Sequence, residues 1–194
     1  MKWRIYLVTV FVALLIVVWF QYSHLKKNVS QISEASSYSS LSLSEPPTDS
    51  SVLTESYNNK TYDFSFRYPN GFTVSLVNDP ENNQDIVVLQ SVSSSKPGIP
   101  LGFQISIQTI DEDIPAVTVE MIKRDLPDLV INSPQDVVIG NRGKGVAFIS
   151  DDSAFGGVSR EVWFVYRKRL YQISTYASND SLVQSVLKTW QFGK

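Results

Sequence analysis

The chain has 194 residues, a net charge of −2, no cysteine and one histidine. The missing thiol excludes disulfides, thiolate catalysis, thiolate metal ligands and lipid attachment through cysteine. Positive charge is not gathered into a basic stripe, so nucleic acid is not an expected partner.

The first apolar run, Ile5 through Phe20, contains no charge, glycine or proline, and no side chain between Arg4 and Lys26 is charged when His24 is neutral. At about 1.5 Å per helical residue this uncharged window is long enough for a hydrocarbon core of about 30 Å. Trp3 and Tyr6 at one end, with Trp19 and Tyr22 at the other, fit aromatic belts at both interfaces. The bulky Trp19-Phe20-Gln21-Tyr22 replaces the small residues that a signal peptidase needs, so an uncleaved anchor over residues 1–27 is expected. Membrane contact is assigned to residues 5–25. Lys2 and Arg4 on a very short N-terminal tail favour keeping that tail inside and the bulk of the chain outside, although Lys26 and Lys27 oppose them. The expected location is the cell membrane, single-pass, with an extracytoplasmic C-terminal domain.

From Asn28 to Ser56 serine dominates, with Pro46-Pro47 and scattered acids. Such a stretch cannot bury enough apolar surface to offset its ordering entropy, so a disordered linker over 28–56 is predicted, with a reach of about 30 Å.

Residues 57–194 carry the folded domain. Tyr62, Phe64, Phe66 and Tyr68 alternate with polar residues, predicting a strand over Thr61–Tyr68. Pro69-Asn70-Gly71 reads as a turn into a second strand, Phe72–Val77, making a hairpin. Asp85–Val92 and Leu101–Ile110 read as strands, the latter with Phe103, Ile105 and Ile107 on one face and Gln104, Ser106 and Gln108 on the other. A helix is predicted over Pro115–Leu126, capped by Asp113 and presenting Val119, Ile122 and Leu126. Asp136–Ile139 and Gly145–Ser150 follow, then the hairpin Ser159–Tyr166 and Leu170–Tyr176. A closing helix is predicted over Asp180–Gln191, with Asn179 as its cap and Leu182, Val183, Val186, Leu187 and Trp190 as its apolar stripe. Short hairpins with helices between and after predict α+β: a mostly antiparallel sheet flanked by helices.

The run Tyr62-Asp63-Phe64-Ser65-Phe66-Arg67-Tyr68-Pro69-Asn70-Gly71-Phe72 resembles the opening of PsbP-like domains. The hairpin Val162–Tyr166 with Leu170–Ser174 and the ending Thr189-Trp190-Gln191-Phe192 are also similar to that family. The resemblance implies a central antiparallel sheet with flanking helices. Its motifs are structural and imply no functional residue here.

The only histidine, His24, lies outside the domain, so no Ser-His-Asp triad or usual zinc site fits within it. Asp79, Glu81, Asn83 and Asp85 occupy positions 1, 3, 5 and 7 of a calcium-loop spacing, the weak metal candidates of this chain. Position 6 is Gln84 where glycine is needed, and position 12 is Gln90 where glutamate is needed. Asp111-Glu112-Asp113 and Asp151-Asp152 read as turns or caps. Gly140-Asn141-Arg142-Gly143-Lys144-Gly145 lacks the phosphate-loop spacing and reads as a hairpin turn. Arg167-Lys168-Arg169 forms a basic tip, a candidate contact for anionic lipid, wall polymer or a protein. No catalytic residue and no cofactor is assigned. The sequence therefore reads as a membrane-anchored binding or accessory module for an envelope protein or polymer. The alternatives are a carboxylate- or Ser/Lys-based envelope enzyme and a weak divalent-cation binder.

Overall fold

A computed structural model describes residues 53–80, 83–92, 101–111, 113–140, 142–151 and 158–193. The expected anchor (1–27) and most of the expected linker (28–56) lie outside the described residues. Among the described residues no helix is long and apolar enough to cross a membrane.

Among the described residues ten strands form two antiparallel sheets, accompanied by two α-helices. The small sheet has the order β1-β2-β10, from β1 (Leu53–Asn59), β2 (Phe64–Pro69) and β10 (Gln191–Phe192). The large sheet takes β3 (Phe72–Asp79), β4 (Gln84–Ser91), β5 (Gly102–Thr109), β6 (Asn132–Ile139), β7 (Gly143–Ser150), β8 (Ser159–Tyr166) and β9 (Arg169–Tyr176). Its order is β3-β4-β5-β9-β8-β7-β6. Helix α1 spans Val119–Asp125 and α2 spans Asp180–Thr189. The architecture is α+β and mostly antiparallel, as the alternation predicted.

Two cores lie on opposite faces of the large sheet. On one face Val87, Leu89, Ile105, Ile107, Ile173 and Phe164 meet Phe64 and Phe66 of the small sheet and Val183, Val186 and Trp190 from α2 and its end. Trp190 stacks on Phe64 with ring centroids 4.6 Å apart. Arg160 of β8 holds the start of α2, donating to Asp180 at 2.9 Å. On the other face Val146, Phe148, Trp163, Val165 and Leu170 pack against Ile122 of α1 and the segment before it.

Several elements differ from the sequence expectation. The domain begins earlier: Leu53 to Ser56, read as linker, belong to β1, which pairs along β2. Tyr62 is not in the strand. The Asn59 side-chain oxygen accepts the N–H groups of Thr61 and Tyr62 at 3.1 and 3.0 Å, and Asp63 takes φ 55°, so a turn occupies 60–63. Nor do β2 and β3 form a hairpin. Pro69, without an N–H, ends one sheet, and the Asn70-Gly71 turn sends β3 into the other, where it pairs with β4.

Helix α1 is shorter than predicted because Thr118, not Asp113, is its cap: Thr118 Oγ1 accepts the Met121 N–H at 3.3 Å. Asn179 does not cap α2 with its side chain. Its amide instead donates to the Gly102 carbonyl at 3.2 Å and to Thr175 Oγ1 at 3.3 Å, tying the helix start to β5 and β9. Trp190 turns extended, and Gln191–Phe192 leave the predicted helix to pair with β2. Strand β6 begins at Asn132, with a register shift before Gln135 and φ 48° at Ser133 beside Pro134. Strands β6 and β7 pair antiparallel as the predicted hairpin, with Gly143 and Lys144, read as turn, already in β7. At Gly140, with φ 54°, a Cβ would collide with the Trp190 carbonyl.

Candidate functional site

Side chains alternate across a strand, and partners in register share a face. Val88, Gln104, Ser174, Glu161 and Phe148 therefore form one row across the large sheet. Ile86, Ser106, Gln172 and Trp163 form the next, and Asp79, Gln84, Gln108 and Leu170 the one after. All lie on the face away from the small sheet. On β7 and β8 this face is apolar at Val146, Phe148, Trp163 and Val165, which pack with Ile122 of α1, and polar at Glu161. On β3, β4 and β5 it is polar, and the half-buried Ile86 and Val88 belong to neither core.

The polar half is wired together. Gln84, 3% exposed, accepts from Ser106 Oγ at 2.8 Å and from Gln108 Nε2 at 3.0 Å, and donates to Asp79 at 3.2 Å. Gln108 also reaches Gln172 Oε1 at 3.5 Å. Glu161 accepts from Ser174 Oγ at 2.6 Å and from Trp163 Nε1 at 3.3 Å. These bonds offset the cost of burying amides, hydroxyls and a carboxylate on a strand surface. The result is two fixed groups of donors and acceptors side by side, one ending in Asp79 and the other built on Glu161. They suit recognition of a hydrogen-bonding surface better than attraction of a highly charged one.

The predicted metal residues are not brought together. Asp79 pairs in register with Gln84, and Asp85 with Asn78, so the two carboxylates project from opposite faces. Asp85 accepts from Tyr62 Oη at 2.8 Å and from Asn78 Nδ2 at 2.5 Å, while Asp79 accepts from Gln84. Asn83 sits in the turn with φ 51°, and Glu81 lies outside the described residues. Among the described residues no three His, Asp or Glu side chains lie close enough to hold a metal ion.

The basic tip is exposed at Arg167 and Lys168 and half-buried at Arg169. Arg167 and Lys168 both take positive φ, as a two-residue hairpin turn requires. Arg167 makes an ion pair of 2.8 Å with Asp63 and lies 5.2 Å over the Tyr166 ring. The Arg169 guanidinium lies 5.0 Å over the Tyr62 ring. The Lys168 carbonyl accepts from Ile110 N–H at 3.0 Å. Two of the three cations thus tie the large sheet to the β1–β2 turn. Burial, the hydrogen bond to Asp85 and the charge of Asp85 together push the Tyr62 phenol up to about 12, against a smaller opposing effect of Arg169.

The residues that sequence reasoning missed are Gln84, Glu161, Gln172 and Ser174. A signal for them existed. Gln104, Ser106 and Gln108 were legible as the wet side of one strand, and Gln172 and Ser174 repeat the pattern on another. Only the register shows that β5 and β9 are neighbours.

No protein-family model matches the chain, and no curated protein matches it. Among solved structures the chain is similar to the solution structure of cyanobacterial PsbP (CyanoP) from Synechocystis sp. PCC 6803. Identity is 13%, the TM-score is 0.46, and the match covers 71% of this chain and 91% of that one.

Proposed function

We propose that this protein is a single-pass, membrane-anchored module of PsbP-like type that acts outside the cytoplasm by binding an envelope partner. Its contact surface is the polar half of the large sheet, reached through the half-buried Gln104, Gln108 and Ser174, which the buried Gln84, Ser106 and Gln172 support from within. The observation that carries this reading is the connected array Asp79–Gln84–Ser106–Gln108–Gln172, with Glu161 and Ser174 beside it. An array whose own members hold each other's rotamers is pre-organised, and binding to it loses little side-chain entropy. The uncharged run Ile5–Phe20 and the Ser-rich stretch after it support the tether, and the residues Tyr62–Phe72 support the family reading.

Two measurements test it. Protease added to intact cells removes a tag placed after Lys194 while a cytoplasmic control survives; protection until lysis overturns the orientation. A photo-crosslinking residue at Gln104 or Gln108 of the full chain yields an adduct with an envelope component, and the same residue at Glu120 on α1 does not. Equal adducts at all three positions overturn the assignment of the surface.

A further inference from the structure

Among the described residues the two sheets have four edge strands, and three are guarded. Strand β10 has only two residues. Strand β1 carries Glu55 and a register shift beside it, and β6 carries Pro134, Asp136 and a second register shift. Proline, charge and bulges are the devices that keep an edge from accepting another strand. The fourth edge, β3, has none of them. Its eight residues, Phe72-Thr73-Val74-Ser75-Leu76-Val77-Asn78-Asp79, contain no proline and no basic residue, and they pair with β4 without a bulge. Their single charge is at the end. Leu76 is 53% exposed and Val77 43%, on opposite faces of the strand.

We infer that β3 is a self-pairing edge, joining two copies of this chain antiparallel into one continuous sheet. A two-fold axis perpendicular to the sheet at Ser75 sets Ser75 against its equivalent, Val74 against Leu76, and Thr73 against Val77. Both exposed aliphatic side chains then gain an apolar or methyl-bearing cross-strand neighbour, twice each by symmetry. The charges favour the same arrangement. Asp79 and Asp85 are the only charged residues described between Phe72 and Ser91, and both lie at the β3–β4 tip. In this register Asp79 opposes Gly71 of the second copy. The two acidic tips then sit about 26 Å apart at roughly 3.3 Å per residue, well beyond the screening length of physiological salt. A parallel pairing would set them side by side. The perpendicular axis also keeps both small sheets on one side, as two chains tethered to one surface require, and both polar faces on the other.

The test uses the full chain in the membranes of cells that express it. The chain has no cysteine, so single cysteines report one position each. Ser75→Cys treated with a short bis-maleimide gives a covalent dimer, whereas Val138→Cys on the exposed but guarded β6 edge gives little. Adding Leu76→Lys, a charge at an already exposed position, cuts the Ser75→Cys dimer about tenfold or more at equal expression and leaves the melting temperature unchanged. Thr73→Lys, exposed on the same strand, serves as the second disrupting variant. Three results overturn the inference: equal yields from Ser75→Cys and Val138→Cys, an adduct with a different protein at Ser75→Cys, or a yield that neither lysine lowers.

Discussion

The hydroxyl of Tyr62, in the β1–β2 turn of the small sheet, donates to the Asp85 carboxylate of the large sheet at 2.8 Å. The Arg169 guanidinium lies over the same ring, 5.0 Å from its centroid. One aromatic side chain thus joins a carboxylate from β4 and a cation from β9, strands that are not neighbours, and fixes how the two sheets meet. Tyr62→Phe keeps the ring and removes the donor. We expect a loss of about 1–2 kcal/mol, read as a lower urea midpoint at unchanged m-value; a midpoint equal to wild type would show that the bond contributes nothing.

Alkaline pH acts on the same joint. Burial raises Tyr171 and Tyr57 above the ordinary phenol value, and Tyr62 is raised to about 12. A group that holds its proton more tightly when folded contributes stability in full below the unfolded value of about 10, and that stability is lost as pH rises through the folded value. The urea midpoint should therefore fall between about pH 10 and 12, and less steeply in Tyr62→Phe. A fall of the same steepness in both proteins would remove Tyr62 from the account.

Two glycines with positive φ separate conformational strain from collision. Gly71 has φ 81° and open space where a Cβ would stand; Gly140 has φ 54° and the Trp190 carbonyl in that space. Gly71→Ala should cost about 1–2 kcal/mol, the ordinary left-handed penalty. Gly140→Ala must also displace the end of α2 from the aromatic core, so the loss should exceed that of Gly71→Ala by roughly 2 kcal/mol or more. Equal midpoints for the two variants would contradict the packing of Trp190 against the β6–β7 turn.

Because Asp79 and Asp85 project from opposite faces, they cannot share one cation. Millimolar calcium should leave the melting temperature unchanged, and Asp79→Ala with Asp85→Ala should not alter that response. A calcium-dependent rise that the double variant abolishes would require a different β3–β4 geometry.

The strands Leu101–Ile110, Ser159–Tyr166 and Leu170–Tyr176 were legible, the first from its alternation, and each lies within a residue of its place in the structure. What misled at 60–72 was a choice between partners. Tyr62 fits the aromatic period, yet the Asn59 side chain offers its backbone a turn, and Tyr68-Pro69-Asn70-Gly71 is equally good chemistry for a hairpin and for a crossing between sheets. At the other end, Trp190 continues the helical stripe of Val186 and Leu187, but its slot lies on Phe64 and requires an extended backbone. The polar face escaped for a similar reason: each half is an ordinary wet strand face, and only pairing β5 with β9 makes one surface. The metal spacing is a linear count that ignores the pleat, which sets Asp79 and Asp85 on opposite faces.

Strand β2 is completed by β10, and the Arg67 N–H donates to Thr189 Oγ1 across 122 residues of chain. A contact between such distant positions returns its stabilisation only after the loop between them has been ordered. The large sheet must then assemble before the small one closes, and refolding from urea should be slow for a domain of this size, limited by docking of the last strand. In that interval Phe64 and Phe66 have no α2 to cover them, which makes the half-closed species the one a chaperone would recognise.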